Sequence, residues 1–212
     1  MDTKGLLVRL EVKTGKDDAM AEDVLRSALA MGRAEAATTT WFAIRFGRSE
    51  YGIFDVFPDD AAREAHLSGP VTQALLDADG SVFAAAPLIQ EFDVLADKLP
   101  ATTSAESVTK ALLLTFKPKA GHETQVAQFL RDAQALVEQE PKTIASFAIR
   151  VDDGHFGIFD VFPDNGARFA HLTGHVPREL AKHSLSLLGS VPDIGMLDVV
   201  DAKWADRSMG LR

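Results

Sequence analysis

Residues 42–59 read FAIRFGRSEYGIFDVFPD, and residues 147–164 read FAIRVDDGHFGIFDVFPD. They share FAIR and GIFDVFPD at a single offset, 147 − 42 = 105. The same offset relates AHLSG at 65–69 to AHLTG at 170–174, and Pro87, Ile89, Asp93, Val94 and Lys98 to Pro192, Ile194, Asp198, Val199 and Lys203. A period this long exceeds the roughly 20–50 residues of a solenoid repeat, so each copy is expected to be a domain. The expected boundaries are 1–98 for the first domain, 99–109 for a Thr- and Ser-rich linker, and 110–212 for the second domain.

Working outward from the repeat, 39–46 and 51–57 alternate apolar with small or polar residues around a short turn, which is a hairpin pattern. In the second copy the turn holds Asp153-Gly154, a pair favoured in two-residue type I′ loops. Such a loop would set Val151 opposite Phe156, Arg150 opposite Gly157 and Phe147 opposite Asp160. The matching register in the first copy would set Arg45 opposite Gly52 and Phe42 opposite Asp55, with Asp55 and Asp160 on the face away from the arginines. Upstream, 6–12 reads as a strand, and Asp17/Asp18 precede Met20, Val24, Leu25, Ala28 and Met31 at helical spacing. Downstream, Asp59 and its counterpart Asp164 are expected helix caps. Gly69-Pro70 breaks that helix before a second stretch at 71–79, and 89–96 closes the unit as a strand.

Strand–helix–strand–strand–helix–strand is the split βαβ, or ferredoxin-like, arrangement of the α+β class. Large apolar groups fall on both sides of the hairpin, at Trp41, Phe42, Ile44, Ile53, Phe54, Val56 and Phe57. Helices can cover only one side. The twin domain is expected to cover the other, giving two ferredoxin-like (βαββαβ) domains packed sheet to sheet as an intrachain pseudo-dimeric α+β barrel.

The 212 residues include 22 Lys+Arg and 31 Asp+Glu, for a formal charge of −9. An acidic chain is a poor match for the phosphate backbone, so nucleic acid is excluded as a partner. Zero cysteines exclude disulfides, thiol nucleophiles and thiolate metal sites, and fit a cytoplasmic location. The apolar run of the N-terminal MDTKGLLVRLEVKTGK breaks at Arg9 and Glu11, short of a signal-peptide core or of the roughly 20 residues a membrane span needs. It is expected to open the folded domain, with no membrane partner. Six histidines offer no pair at metal-binding spacing on one helix face; His171 and His175 are four apart but separated by Gly174. Nucleotide-binding glycine loops and a Gly-x-Ser-x-Gly elbow are absent from the sequence, so neither metal nor cofactor is expected.

The motif Phe-x-Ile-x-Asp-x-Phe-x-Asp, followed by Ala-His-Leu-[Ser/Thr]-Gly, resembles the antibiotic biosynthesis monooxygenase family of the dimeric α+β barrel superfamily. The resemblance covers nearly the whole chain twice, the linker excepted. It implies the barrel fold, and for activity it points to cofactor-free quinol-forming oxygenases or to haem-degrading enzymes. The haem-degrading branch is similar in relying on an Asn from its first strand, whereas the one Asn here is Asn165, so haem degradation is rejected. The polyketide oxygenases of the family use Trp, Tyr, Asn and Arg around a deep pocket. Trp41 and Tyr51 supply such groups in the first copy but become Ser146 and Phe156 in the second, so the better-equipped pocket is expected in the first copy, lined by Trp41, Tyr51, Arg45 and His66, and the non-catalytic reading is favoured for the second.

Oxygenation of a phenol without a cofactor needs an apolar pocket, a proton acceptor and a group that stabilises the anion. The polar groups present in both copies are Arg45/Arg150, Asp55/Asp160, Arg63/Arg168, His66/His171 and Lys98/Lys203. His66 and His171 are candidate bases, or else helix histidines bonded to a nearby carbonyl. Arg45 and Arg150 are candidate anion stabilisers, or else members of structural ion pairs. Asp55 and Asp160, with Trp41, Tyr51, Phe54, Phe156 and Phe159, would line the substrate site. A carboxylate in such surroundings must be paired or have a raised pKa.

The reading is a cofactor-independent monooxygenase for a small phenolic or quinol-type molecule. Its rivals are a non-catalytic small-molecule-binding or stress-response barrel, and a duplication that is purely architectural. Whether two chains pair further is left open.

Overall fold

A computed structural model describes residues 3–16, 18–35, 37–78, 80–100, 108–151 and 154–204. Most of the expected linker, 101–107, and the turn residue Asp153 lie outside the described residues, as does Asp17. The first copy runs β1 (Lys4–Glu11), α1 (Asp18–Gly32), β2 (Thr40–Gly47), β3 (Glu50–Phe57), α2 (Asp60–Leu67), α3 (Pro70–Asp77) and β4 (Leu88–Lys98). The second runs β5 (Lys110–Phe116), α4 (Glu123–Val137), β6 (Ala145–Val151), β7 (Phe156–Phe162), α5 (Asn165–Leu172), α6 (His175–Leu187) and β8 (Asp193–Lys203). The eight strands form one closed barrel in the order β1-β3-β2-β8-β5-β7-β6-β4, so two βαββαβ copies make the pseudo-dimeric α+β barrel.

By compactness, one unit takes the described residues up to Glu91 and those from Asp198 onward; the other takes those between Phe92 and Leu197. The end of β8 therefore belongs with the first copy, where it pairs with β2 from Trp41↔Lys203 to Arg45↔Asp198. The end of β4 likewise pairs with β6, from Phe92↔Val151 to Lys98↔Ser146. Each unit borrows its fourth strand from the other repeat.

Local chemistry sets the element ends. Asp59 Oδ1 accepts from the Ala62 amide at 2.9 Å, and Asp164 Oδ1 from the Ala167 amide at 2.8 Å, so both are N-caps. In the AHLSG and AHLTG motifs, the Ser68 and Thr173 hydroxyls each donate at 3.0 Å to a carbonyl four residues back, of Glu64 and Phe169. The motif glycines allow close approach between consecutive helices. A Cβ on Gly174 would sit 3.0 Å from the Ala170 and His171 carbonyl oxygens.

The hairpin register differs by one residue from the expected one. Arg45 lies opposite Tyr51, Ile44 opposite Gly52 and Trp41 opposite Asp55. In the second copy Arg150 lies opposite Phe156 and Ser146 opposite Asp160. The cause in the first copy is a bulge between Arg45 and Gly47, with Ser49 in the left-handed region at φ 62°. In the second copy the Val151 amide donates to the His155 carbonyl, so three residues separate the paired ends, and Gly154 takes φ 81°. A one-residue slip exchanges faces. Asp55 therefore shares a face with Arg45, Trp41 and Tyr51, not the opposite one, and this is the helix-covered face. Trp41, Ala43, Tyr51 and Ile53 pack there against Ala21, Leu25, Ala28 and Leu29 of α1.

The first strands follow a different offset from the rest of the repeat. Lys4 pairs with Phe57 and Lys110 with Phe162, so β1 and β5 are related by 106 while β3 and β7 are related by 105. The single-residue difference falls between the first strand and the first helix, where it leaves the facing of every strand intact.

Candidate functional site

Each copy builds the same array around its AHL histidine. His66 and His171 are only 6% and 5% exposed, on the sheet-facing sides of α2 and α5. His66 Nδ1 lies 2.6 Å from Glu35 Oε2, and its Nε2 lies 3.4 Å from Asp55 Oδ2. His171 repeats this with Glu140 Oε2 at 2.6 Å and Asp160 Oδ2 at 3.3 Å. The rings tilt against Phe57 and Phe162 at centroid distances of 5.1 and 5.3 Å.

Burial alone would pull both imidazole pKa values down, but the flanking carboxylates outweigh it. They push His66 up to about 9 and His171 up to about 10. Values this high favour the imidazolium form at neutral pH, with Nδ1–H donating to the glutamate and Nε2 facing the aspartate in each copy. The ring partners are carboxylates, where the sequence suggested either a general base or a histidine bonded to a nearby carbonyl. Asp55 is held above the usual carboxylate range by burial, which the His66 charge only partly offsets. Burial also acts upward on Glu140, but the His171 hydrogen bond and charge prevail and hold it below its ordinary value.

Glu35 and Glu140 follow the first helix of each copy, outside any periodic pattern, and sequence reasoning missed them. The repeat itself carried the signal, since Glu35 and Glu140 are 105 apart and so are Thr38 and Thr143. The threonines orient the carboxylates: Thr143 Oγ1 donates to Glu140 Oε2 at 2.8 Å, and Thr38 Oγ1 to Glu35 Oε2 at 3.1 Å. Lys203 Nζ donates at 2.8 Å to the carbonyls of Gly32 and Glu35, closing the end of α1 and fixing the loop that bears Glu35. Lys98 does the same to Val137 and Glu140 at 2.9 and 2.6 Å.

The copies differ in what surrounds the array. In the second, a cavity of about 270 Å³ between sheet and helices is lined by aliphatic side chains, among them Leu112, Ile158, Leu180 and Leu188, with Asp160 and His171 in its wall. Asp160 is 2% exposed, and its Oδ1 has no hydrogen-bond partner among the described residues; both oxygens of the equally buried Asp55 also lack one, so what sets Asp160 apart is the cavity beside it. In the first copy, Phe83 stands where the second has Leu188, and Trp41 where it has Ser146. Both aromatics are fully buried and pack with Val8, Ile53, Val71 and Leu75 in one core cluster. Trp41 and Tyr51, expected in a pocket wall, instead occupy that core, and burial pushes the Tyr51 phenol up to about 12.

The arginines stand apart from the cavity. Arg45 pairs with Asp18 and lies over the Tyr51 ring at 5.4 Å, so the room expected opposite a glycine is taken by the tyrosine. Arg150, half exposed, pairs with Asp93 at 2.5 Å. Arg63 binds Asp60 and Glu91, while Arg168 donates to the Ala111 and Leu197 carbonyls and to Asn165. Phe156 stacks near Phe116 at 6.4 Å in the helix-side core, whereas strand alternation puts Phe54 and Phe159 on the other face of the sheet. Among the described residues, no group of three or more His, Asp or Glu could hold a metal ion, and no helix is long and apolar enough to cross a membrane.

No family model matches the chain, and no curated protein matches it in sequence. Solved structures do. A candidate monooxygenase from Fusobacterium nucleatum superposes with a TM-score of 0.82 at 13% identity, over 95% of this chain and 94% of its own. The chain shares its fold. A candidate monooxygenase from Lactobacillus acidophilus gives 0.78 at 10% identity, over 95% and 96% of the two chains. A protein of unknown function from Nitrosomonas europaea is 45% identical over 48% of this chain and 98% of its own, with a TM-score of 0.45.

Proposed function

We propose that the chain is a cofactor-independent monooxygenase of the antibiotic biosynthesis monooxygenase type, acting on a small phenolic or quinol-type molecule bound in the second copy. The observation that carries this is Asp160 Oδ1, a buried acceptor without a hydrogen-bond partner among the described residues, in the wall of an apolar cavity. A buried polar atom of this kind is costly unless something donates to it, and a phenolic hydroxyl would do so. The cavity lies near the lower end of the range for ligand pockets, about 300–1,000 Å³. The likeness in fold to two candidate monooxygenases accords with the reading.

In this reading Asp160 takes the hydroxyl proton, and the Nε2 side of His171 holds its carboxyl in place. The electron-rich ring then reduces molecular oxygen and forms a carbon–oxygen bond. One oxygen atom remains as the new quinone oxygen. The other leaves as water with the hydroxyl proton and the hydrogen lost from the ring carbon. Four electrons pass from ring to oxygen, so no further reductant is required.

The test is oxygen uptake with a panel of hydroquinones and anthrones, comparing wild type with Asp160→Asn and with Leu188→Phe, which rebuilds the filled core of the first copy. Turnover should be lost in both variants. Absence of uptake with every compound, or an Asp160→Asn variant as active as wild type, would overturn the proposal. For the first copy the non-catalytic reading is favoured, because the same array there abuts a packed core.

A further inference from the structure

His171 borders two spaces. One is the apolar cavity beside its Nε2 and Asp160. The other is an open depression of about 250 Å³ formed by Gln139, Glu140, Lys142, Thr143, Ala167 and Ala170, on its Nδ1 side. The ring is the partition between them. Glu140, one-fifth exposed, links Nδ1 to the depression, and the nearby Lys98 ammonium is tied to the Glu140 carbonyl.

We propose that Asp160, His171 and Glu140 form a proton exit from the ligand cavity to solvent. This rests on the reading of that cavity as a phenol site and adds how a proton is lent to solvent while Asp160 holds the one from the hydroxyl. When Asp160 accepts the hydroxyl proton, the Nδ1–H of His171 passes to Glu140 and from there to water. The array then holds a neutral carboxyl, a neutral imidazole and a carboxylate in place of two carboxylates and an imidazolium. The three groups together stay at minus one, and the one negative charge left by the departed proton resides on the bound phenolate. When Asp160 later returns its proton to reduced oxygen, His171 regains one through Glu140 and the array is reset. The first copy has the same three groups but a filled core beside them, and serves as an internal control.

The test is stopped-flow mixing of full-length protein with 4-nitrophenol below its solution pKa. The coloured phenolate reports proton transfer to Asp160, and an indicator dye in weak buffer reports release to solvent. Glu140→Ala should slow both signals at least about tenfold, with dye affinity unchanged. Acetate, small enough for the depression, should restore the rate. Glu140→Gln, nearly isosteric, should be slow as well and decides the matter if the alanine variant does not fold. Glu35→Ala should behave as wild type. Wild-type rates in both Glu140 variants, or equal slowing in the Glu35 and Glu140 variants, would overturn the exit path while leaving the phenol site standing. No saturable binding of the dye to wild type would overturn both.

Discussion

Replacing His171 with Asn should destabilise the protein by an amount that depends on pH in a defined direction. The folded-state pKa of His171 is about 10, against 6.5 for an unperturbed histidine. A raised pKa contributes stability that is complete below 6.5 and declines as pH climbs through about 10. At about 1.4 kcal/mol per pH unit, the interval caps the contribution at roughly 5 kcal/mol. The cost of burying Asp160 and Glu140 beside the ring lowers the net figure, and about 2–4 kcal/mol is expected. Urea unfolding of wild type and His171→Asn from about pH 6 to about pH 10.5 measures it. The stability difference should be largest near pH 6 and shrink by most of that amount toward the alkaline end. A residual constant difference would report packing against Phe162, whose ring lies 5.3 Å away. A difference that stays the same at both ends would show that the carboxylates do not hold the ring charged.

Removal of either helix cap, by Asp59→Ala or Asp164→Ala, should cost about 1 kcal/mol each in the same unfolding assay, because each carboxylate satisfies one helix amide. Gly52→Ala should cost more, about 1–3 kcal/mol, since its Cβ would lie 2.3 Å from the Val8 carbonyl oxygen and force β1 and β3 apart; a lowered thermal midpoint checks this.

Much of the architecture was legible because it depends on local, repeated signals. The offset of 105, the Asp59 and Asp164 caps and the Gly69-Pro70 break all report on residues close in sequence. The hairpin register was not legible, because a bulge at one turn and a three-residue loop at the other each shift the pairing without altering the alternation of side chains. That single step reversed the facing of Asp55 relative to Arg45. Glu35 and Glu140 escaped notice because they sit in loops where no periodicity marks them, although the repeat aligned them. The cavity depends on side-chain volume at Leu188, where the first copy has Phe83. The sequence suggested that Trp41 would line a pocket, and in the structure it is fully buried in a core cluster with Val8, Ile53 and Phe83.

The one-sided cavity also bears on why such a barrel would be encoded in a single chain. A space of about 270 Å³ beside Asp160 forgoes packing contacts that a filled core would make. In a homodimer every core substitution appears twice, so that loss would double against a stability of only about 5–15 kcal/mol. Gene fusion of the halves breaks that obligation. One half can keep Phe83 in a packed core while the other, with Leu188 in its place, leaves space beside Asp160, so each core is free to vary without the other.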